Sequence, residues 1–244
     1  MPGQDPRVEA LGTSGAPAPH HLTTTFRFSG DIVVDTGAAT HAIDTQEREQ
    51  LQFVFLSHAH LDHTLGLPFL LADAQPRVYG LHQTLEVVRK NLLDGHIWPD
   101  LSDRATWHKV VIGDTVEASA WQVEVGPANH TVPCVSYLFR QGDYSIAIIG
   151  DTRFDDTVAA WVAERLPTAC VVEVSYANRV AAMARRFGHQ TAADIRGWRS
   201  HLGRECTLYV THIKPDHMAE VRRELAELDD PALEILQDGT VIRA

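Results

Sequence analysis

Cysteine is scarce in this chain of 244 residues: Cys134, Cys170 and Cys206 stand far apart, with no Cys-x-x-Cys pair. That pattern argues against a disulfide framework and suits reduced thiols buried as core filler rather than metal ligands. Uninterrupted apolar runs fall short of the ~18 residues that suggest a membrane-spanning helix. The opening stretch, MPGQDPRVEALGTSGAPAPHH, has no basic start followed by an apolar run. No signal peptide and a cytoplasmic setting are therefore expected. Positive charge is also short, with 21 Lys and Arg against 32 Asp and Glu and a formal net charge of −11 spread along the chain. Such a balance speaks against a protein that grips long nucleic acid through its phosphates. It leaves room for a small phosphorylated substrate, because a bound metal supplies positive charge locally.

Histidine, by contrast, is plentiful, and its placement is uneven. In FVFLSHAHLDHTLGLPFLLADA, residues 53–74, an apolar strand runs into His58, His60, Asp62 and His63 before an apolar helix begins. A polar turn that happens to be rich in histidine is the plain alternative, but so dense an HxHxDH run reads as half of a metal site. Strand-like runs elsewhere are RVEAL, HLTTTFRF and DIVVDTG (a hairpin through Ser29-Gly30), RVYGL, HKVVIG, TVEASAWQVEVG, CVSYLFRQG, YSIAIIG, ACVVEVSYA, CTLYVTHI, LEILQ and TVIRA. Helical spacing appears in LGLPFLLADA, HQTLEVVRKNLL, DDTVAAWVAERL, RVAAMARRF, TAADIRGWRSHL and HMAEVRRELAEL, with Asp155 or Asp156 as a cap. The stretch 94–107 reads as a loop. No short-period repeat and no dividing linker is visible, so residues 1–244 are expected to form one domain, two packed sheets with helices outside.

Loops at strand ends carry chemistry on a rigid support, so the other half of the site is sought there. Three strands end in His130 (VEVGPANHTVP), Asp151 (YSIAIIGDTRF) and His212 (CTLYVTHIKPDH). Seven nitrogen and oxygen ligands suit two Zn²⁺ ions, with Mn²⁺ or Fe²⁺ as other divalent occupants. His58, His60 and His130 would hold one ion, Asp62, His63 and His212 the second, and Asp151 would bridge them. His20, His21, His82, His96, His108, His201 and His217 read as surface or loop residues.

The run His58-Ala59-His60-Leu61-Asp62-His63 resembles the signature of the metallo-β-lactamase superfamily. Asp-Thr-Gly at 35–37, HTVPCVSYLF, GDT and THIKP are similar to the family's further segments, in order and over nearly the whole chain. The resemblance implies an α/β (α+β) four-layer αββα sandwich and a metal-dependent hydrolase. Within it, the chain resembles class II 3′,5′-cyclic-nucleotide phosphodiesterases in HAHLDHTLGLPFLLADA, EVSYANR, GHQTAADI and THIKP. It departs from them at Thr64, Pro68 and Gln190. The same GHQTAADI is similar to a segment of tRNase Z, whose basic, tRNA-holding insertion has no counterpart here.

What the phosphodiesterase resemblance implies is hydrolysis of cAMP or cGMP to the 5′-nucleotide at a two-metal centre. The alternatives are a tRNase Z-like nuclease and a thioester or lactone hydrolase on the same metals. Asp62 would ligate and orient water, His189 would protonate the leaving oxygen near a helix start, and Glu173 would orient His189. For Glu173, a structural hydrogen bond is the competing reading. Asp35 reads as a support for a metal histidine or loop. Thr211 and Lys214 are possible phosphate contacts, Lys214 more simply a solvated ammonium. Trp98 is a pocket wall or a hydrophobic anchor. The expected partner is a small phosphodiester, with no stable nucleic-acid partner and no membrane. A homodimer through the apolar helix at 65–74 would be unsurprising.

Overall fold

The computed structural model describes residues 6–242. Each of its two sheets has seven strands. In the first, β1 (Val8–Gly12), β2 (Thr25–Phe28), β3 (Ile32–Val34), β4 (Phe53–Phe55), β5 (Arg77–Leu81) and β6 (Thr106–Val110) lie side by side, and β14 (Thr240–Ile242) closes the edge beside β1. The second runs β7 (Thr115–Ala118), β8 (Trp121–Pro127), β9 (Val135–Gln141), β10 (Tyr144–Ile148), β11 (Ala169–Glu173), β12 (Thr207–Thr211) and β13 (Leu233–Ile235).

Alternation along the strands sorts the side chains into three cores. Ile32, Val34, Phe53 and Phe55 meet Val125, Tyr137, Phe139, Ile146 and Val171 between the sheets. The intervening residues face outward: Val33 and Val54 under one helical layer, Leu138, Ala147, Cys170 and Val172 under the other. The first layer comprises α1 (Ala39–Ala42), α2 (Thr45–Arg48), α3 (Leu61–Thr64), α4 (Leu67–Asp73) and α5 (His82–Leu92). The second comprises α6 (Asp156–Ala163), α7 (Ala181–Arg186), α8 (Ile195–His201) and α9 (Met218–Ala226). Helix, sheet, sheet, helix is the four-layer sandwich that the resemblance implied.

Strands β3 to β6 are parallel, as are β10 to β13, while β14-β1-β2-β3 and β7-β8-β9-β10 pair antiparallel. The carboxyl ends of both parallel blocks open on one rim, and ligands in such sheets gather at that end.

Several local expectations change. TVEASAWQVEVG is two strands: Ser119 takes φ 52°, turning the chain back so that Val116 faces Val123. The apolar run at 65–74 starts its helix at Leu67, with Pro68 in the first turn, where its missing N–H costs nothing. Leu67, Leu70 and Leu71 pack inward, leaving Leu65, Phe69 and the neighbouring Leu61 exposed. Asp155, not Asp156, caps α6 by accepting from Thr157 and Val158 N–H. The short α1 and α2 fall in a stretch that the sequence left unassigned. Of the closing TVIRA segment, Arg243 and Ala244 lie outside the described residues. The three cysteines are buried free thiols. No helix among the described residues is long and apolar enough to cross a membrane.

Candidate metal centre

Each expected ligand follows a strand end on the common rim. Beyond β4, His60 takes an extended backbone and α3 begins, so Asp62 and His63 occupy one helical turn. His130 follows β8, Asp151 follows β10 and His212 directly follows β12. His212 sits at φ 62°, a left-handed conformation that costs a non-glycine residue energy and marks an over-determined position.

Two groups form, with ligand atoms within 4.8 Å of one another: His58, His60, His130 and Asp151, and Asp62, His63 and His212. Asp151 reaches toward both, with Oδ2 3.7 Å from His58 Nε2 and Oδ1 3.4 Å from His63 Nε2. His212 Nε2 lies 3.3 Å from Asp151 and 3.3 Å from Asp62. The geometry therefore brings together the seven residues that the sequence selected.

Hydrogen bonds behind the rings fix which nitrogen is bare. Asp35 accepts from Ser57 N at 2.8 Å, from Ser57 Oγ at 2.7 Å and from His63 Nδ1 at 2.7 Å. With its own proton given to Asp35, the Ser57 hydroxyl accepts from His58 Nδ1 at 3.0 Å. Ser175 repeats the device: its hydroxyl donates to Glu173 Oε2 at 2.8 Å and accepts from His212 Nδ1 at 2.9 Å. His130 Nδ1 donates to Gly188 O at 2.9 Å. Four imidazoles thus turn a lone pair on Nε2 inward, as metal-binding histidines do when their outer nitrogen is held.

Those lone pairs fit cations and little else. His63 and His212 face each other through Nε2 at 3.1 Å, and His130 Nε2 meets His60 Nδ1 at 3.1 Å. His58 Nε2 and Asp151 Oδ2 are buried without a hydrogen-bond partner. Five imidazoles and two carboxylates converging in this way suit divalent ions that accept nitrogen and oxygen. Burial holds the pKa of His58 well below the usual histidine value and that of His130 down at about 4, so both stay neutral and available. Burial would lower His63 too, but Asp151 and Asp35 raise it well above the usual value. Asp62 is partly desolvated, yet His212 and His63 keep it ionised.

The second-sheet side also carries the expected pair. Glu173 Oε1 lies 2.9 Å from His189 Nδ1, and Ser175 Oγ lies 3.2 Å from the same nitrogen. Burial opposes charge on His189, while Glu173 raises its pKa. His189 also forms a group with Asp151 and His212, although its Nδ1 is engaged by Glu173. Gly188 brings this loop against the centre: at φ 79°, an added Cβ would stand 2.6 Å from His130 Nδ1.

Other expectations are corrected. Lys214 is not a solvated ammonium, because its Nζ donates to Gly15 O at 2.7 Å and lies 5.6 Å from the Tyr176 ring centroid. Thr211 is buried with its hydroxyl donating to Thr13 O at 3.4 Å. Trp98 packs on Phe69, ring centroids 4.6 Å apart. Of the histidines set aside, His108 stacks on Tyr79 at 4.7 Å and His217 meets Tyr176 edge-on at 5.2 Å. Ser57, Ser175 and the Gly188 carbonyl were missed. Ser57 precedes His58 and Gly188 precedes His189, an adjacency that was the available signal, while Ser175 stands two residues beyond Glu173.

Several known proteins are similar to this chain. The chain is 26% identical over 228 residues to a probable 3′,5′-cyclic-nucleotide phosphodiesterase of Yersinia pestis, covering 78% of this chain and 66% of that protein. It is 28% identical over 155 residues to a ribonuclease Z of Methanococcus maripaludis, covering 55% of this chain and 48% of that protein. The chain thus spans about half to two thirds of the length of these curated relatives. Further ribonucleases Z, from Pyrococcus abyssi and Treponema pallidum, match about half of this chain. Among solved structures, the metallo-β-lactamase fold protein YhfI of Bacillus subtilis superposes with a TM-score of 0.81 at 18% identity, covering 98% of this chain and 100% of that one. A family model described as the beta-lactamase superfamily domain matches residues 31–227. With that match over most of its length, and candidate ligands at every expected strand end, the chain belongs to the beta-lactamase superfamily.

Proposed function

We propose that this chain hydrolyses phosphodiesters at a centre of two divalent ions, one held by His58, His60 and His130, the other by Asp62, His63 and His212, with Asp151 between them. The observation that carries the reading is the joining of that ligand set to a buried carboxylate–imidazole pair, Glu173–His189. Two bound ions, Zn²⁺ first and Mn²⁺ or Fe²⁺ as alternatives, would supply Lewis acidity that draws charge from a phosphoryl oxygen and acidifies water.

The chain's own residues do the rest. Asp62 stays ionised and orients the attacking water as well as its ion. Glu173, 2.9 Å from His189 Nδ1, keeps that nitrogen protonated and leaves Nε2 to meet the substrate. A His189 held charged in this way delivers a proton to the departing sugar oxygen. A thioester or lactone would have less need of that acid, because its leaving group is easier to expel.

Two substrates carry the scissile group. RNA is supported by the ribonucleases Z that recur among the relatives. RNA therefore returns to the substrates under test, against the sequence expectation of no nucleic-acid partner. A 3′,5′-cyclic nucleotide is supported by the wider match to the Yersinia pestis protein and by the chain's net charge of −11. Metal-loaded protein given bis-p-nitrophenyl phosphate, precursor tRNA, cAMP, cGMP and a thioester separates them. Cleavage of either phosphodiester substrate supports the proposal and assigns the class. Two metals per chain with only the thioester cleaved would overturn it.

A further inference from the structure

One aromatic residue beside the centre has no part in the ligand set. Tyr176 follows β11 by three residues, and its backbone N–H donates to Gln190 O at 3.2 Å while its strand bridge pairs it with Thr191. These bonds bind it to the loop that carries His189. Its ring lies 5.7 Å from the His189 ring and 5.2 Å from the His217 ring, and Lys214 Nζ sits 5.6 Å from its centroid. Three neighbours hold the ring, which is 9% exposed.

The hydroxyl is a different matter. Tyr137 donates its own to Leu56 O at 2.8 Å, whereas the Tyr176 hydroxyl meets no hydrogen-bond partner among the described residues. The hydroxyl is not among the buried unpartnered polar atoms, so a phenol fixed by its ring presents its polar end to solvent, where a ligand can take it. The ring contact with His189 keeps the residue beside that imidazole, and burial together with the carboxylates of Glu173, Asp151 and Asp62 raises the pKa of the hydroxyl, which keeps it a donor.

We infer that Tyr176 is a substrate-binding residue whose hydroxyl donates a hydrogen bond to a non-bridging oxygen of the phosphoryl group presented to His189. This rests on the phosphodiesterase reading for its substrate. Packing of the Tyr176 ring between His189, His217 and Lys214 sets the donor in place before substrate arrives, so little ordering remains to be done on binding.

Tyr176→Phe keeps the ring and removes only the donor. In metal-loaded protein it is expected to leave two metals per chain and the melting temperature unchanged, while kcat/KM for bis-p-nitrophenyl phosphate falls about 10- to 100-fold, the range for a hydrogen bond to a charged group. Phosphorothioate diesters add a readout that a packing role would not move. For one stereoisomer, sulfur replaces the oxygen that Tyr176 contacts, and the difference between wild type and variant should collapse to about twofold or less. Equal kcat/KM in the two proteins, or an equal loss with both stereoisomers, would overturn the inference and leave the function standing. Wild-type protein that cleaves no phosphodiester would instead overturn the function. Affinity for inorganic phosphate then decides for Tyr176, with weaker binding in Tyr176→Phe supporting the contact and equal binding refuting it.

Discussion

Asp35→Asn tests whether the outer hydrogen bonds hold the centre together. Asp35 accepts three of them, Ser57 N on Oδ1, and Ser57 Oγ and His63 Nδ1 on Oδ2. Asparagine fills the same volume, and it is one of the few residues at ease at the φ of 56° found there. Its single oxygen can keep the Ser57 N–H. Its amide group then faces two donors where a carboxylate oxygen stood. A hydrogen bond to a charged acceptor contributes about 1.5–3 kcal/mol. At about 1.4 kcal/mol per factor of ten, its loss weakens metal binding about 10- to 100-fold. The larger loss falls on the ion of Asp62, His63 and His212, because His63 is touched directly and His58 only through Ser57. Metal-free protein titrated with Zn²⁺ against a chromophoric chelator reads both affinities. Two sites within twofold of wild type would refute the argument that these bonds set the ligand geometry.

Acidification should empty the centre in two steps. Despite burial, the pKa of His63 is raised by Asp151 and Asp35, so protons compete for it more strongly than for His130 and its ion should be lost first as pH falls; His130, at about 4, should give up its ion only in stronger acid. Metal retained after dialysis across the pH series checks this, and simultaneous release would contradict it. Glu173→Gln removes the carboxylate that raises the pKa of His189, so the alkaline limb of the kcat profile should move to lower pH. A drop in kcat of at least about tenfold should accompany the shift, with metal content near that of wild type. An unmoved limb would remove His189 as the acid.

Much of the centre was legible because parallel strands deliver their last residues to one rim. HxHxDH gave the anchor, and His130, Asp151 and His212 could then be sought at strand ends. The layers were legible from alternation, as in Phe53-Val54-Phe55, which sends its rings between the sheets and its valine to the helices. What was hidden depends on contacts distant in sequence or on single dihedral angles. Lys214 reads as any exposed lysine until the chain brings Gly15 O to it. The turn at Ser119 uses a left-handed serine where pattern alone asks for glycine or asparagine. Ser57 and Ser175 carry no motif, because a serine becomes a relay only when a carboxylate takes its proton.

The centre draws His58, His60, Asp62 and His63 from the first sheet and His130, Asp151 and His212 from the second. Neither half of the chain owns a complete ligand set, so ions that fill both groups act as rivets between the halves. Tyr137 donating to Leu56 O makes a smaller rivet of the same kind just beneath them. Metal capture would therefore act as a checkpoint on assembly, since both groups are complete only after the two sheets have docked in register. A chain stripped of metal should loosen first along the seam between the sheets, where amide exchange at β4 and β9 would register the parting.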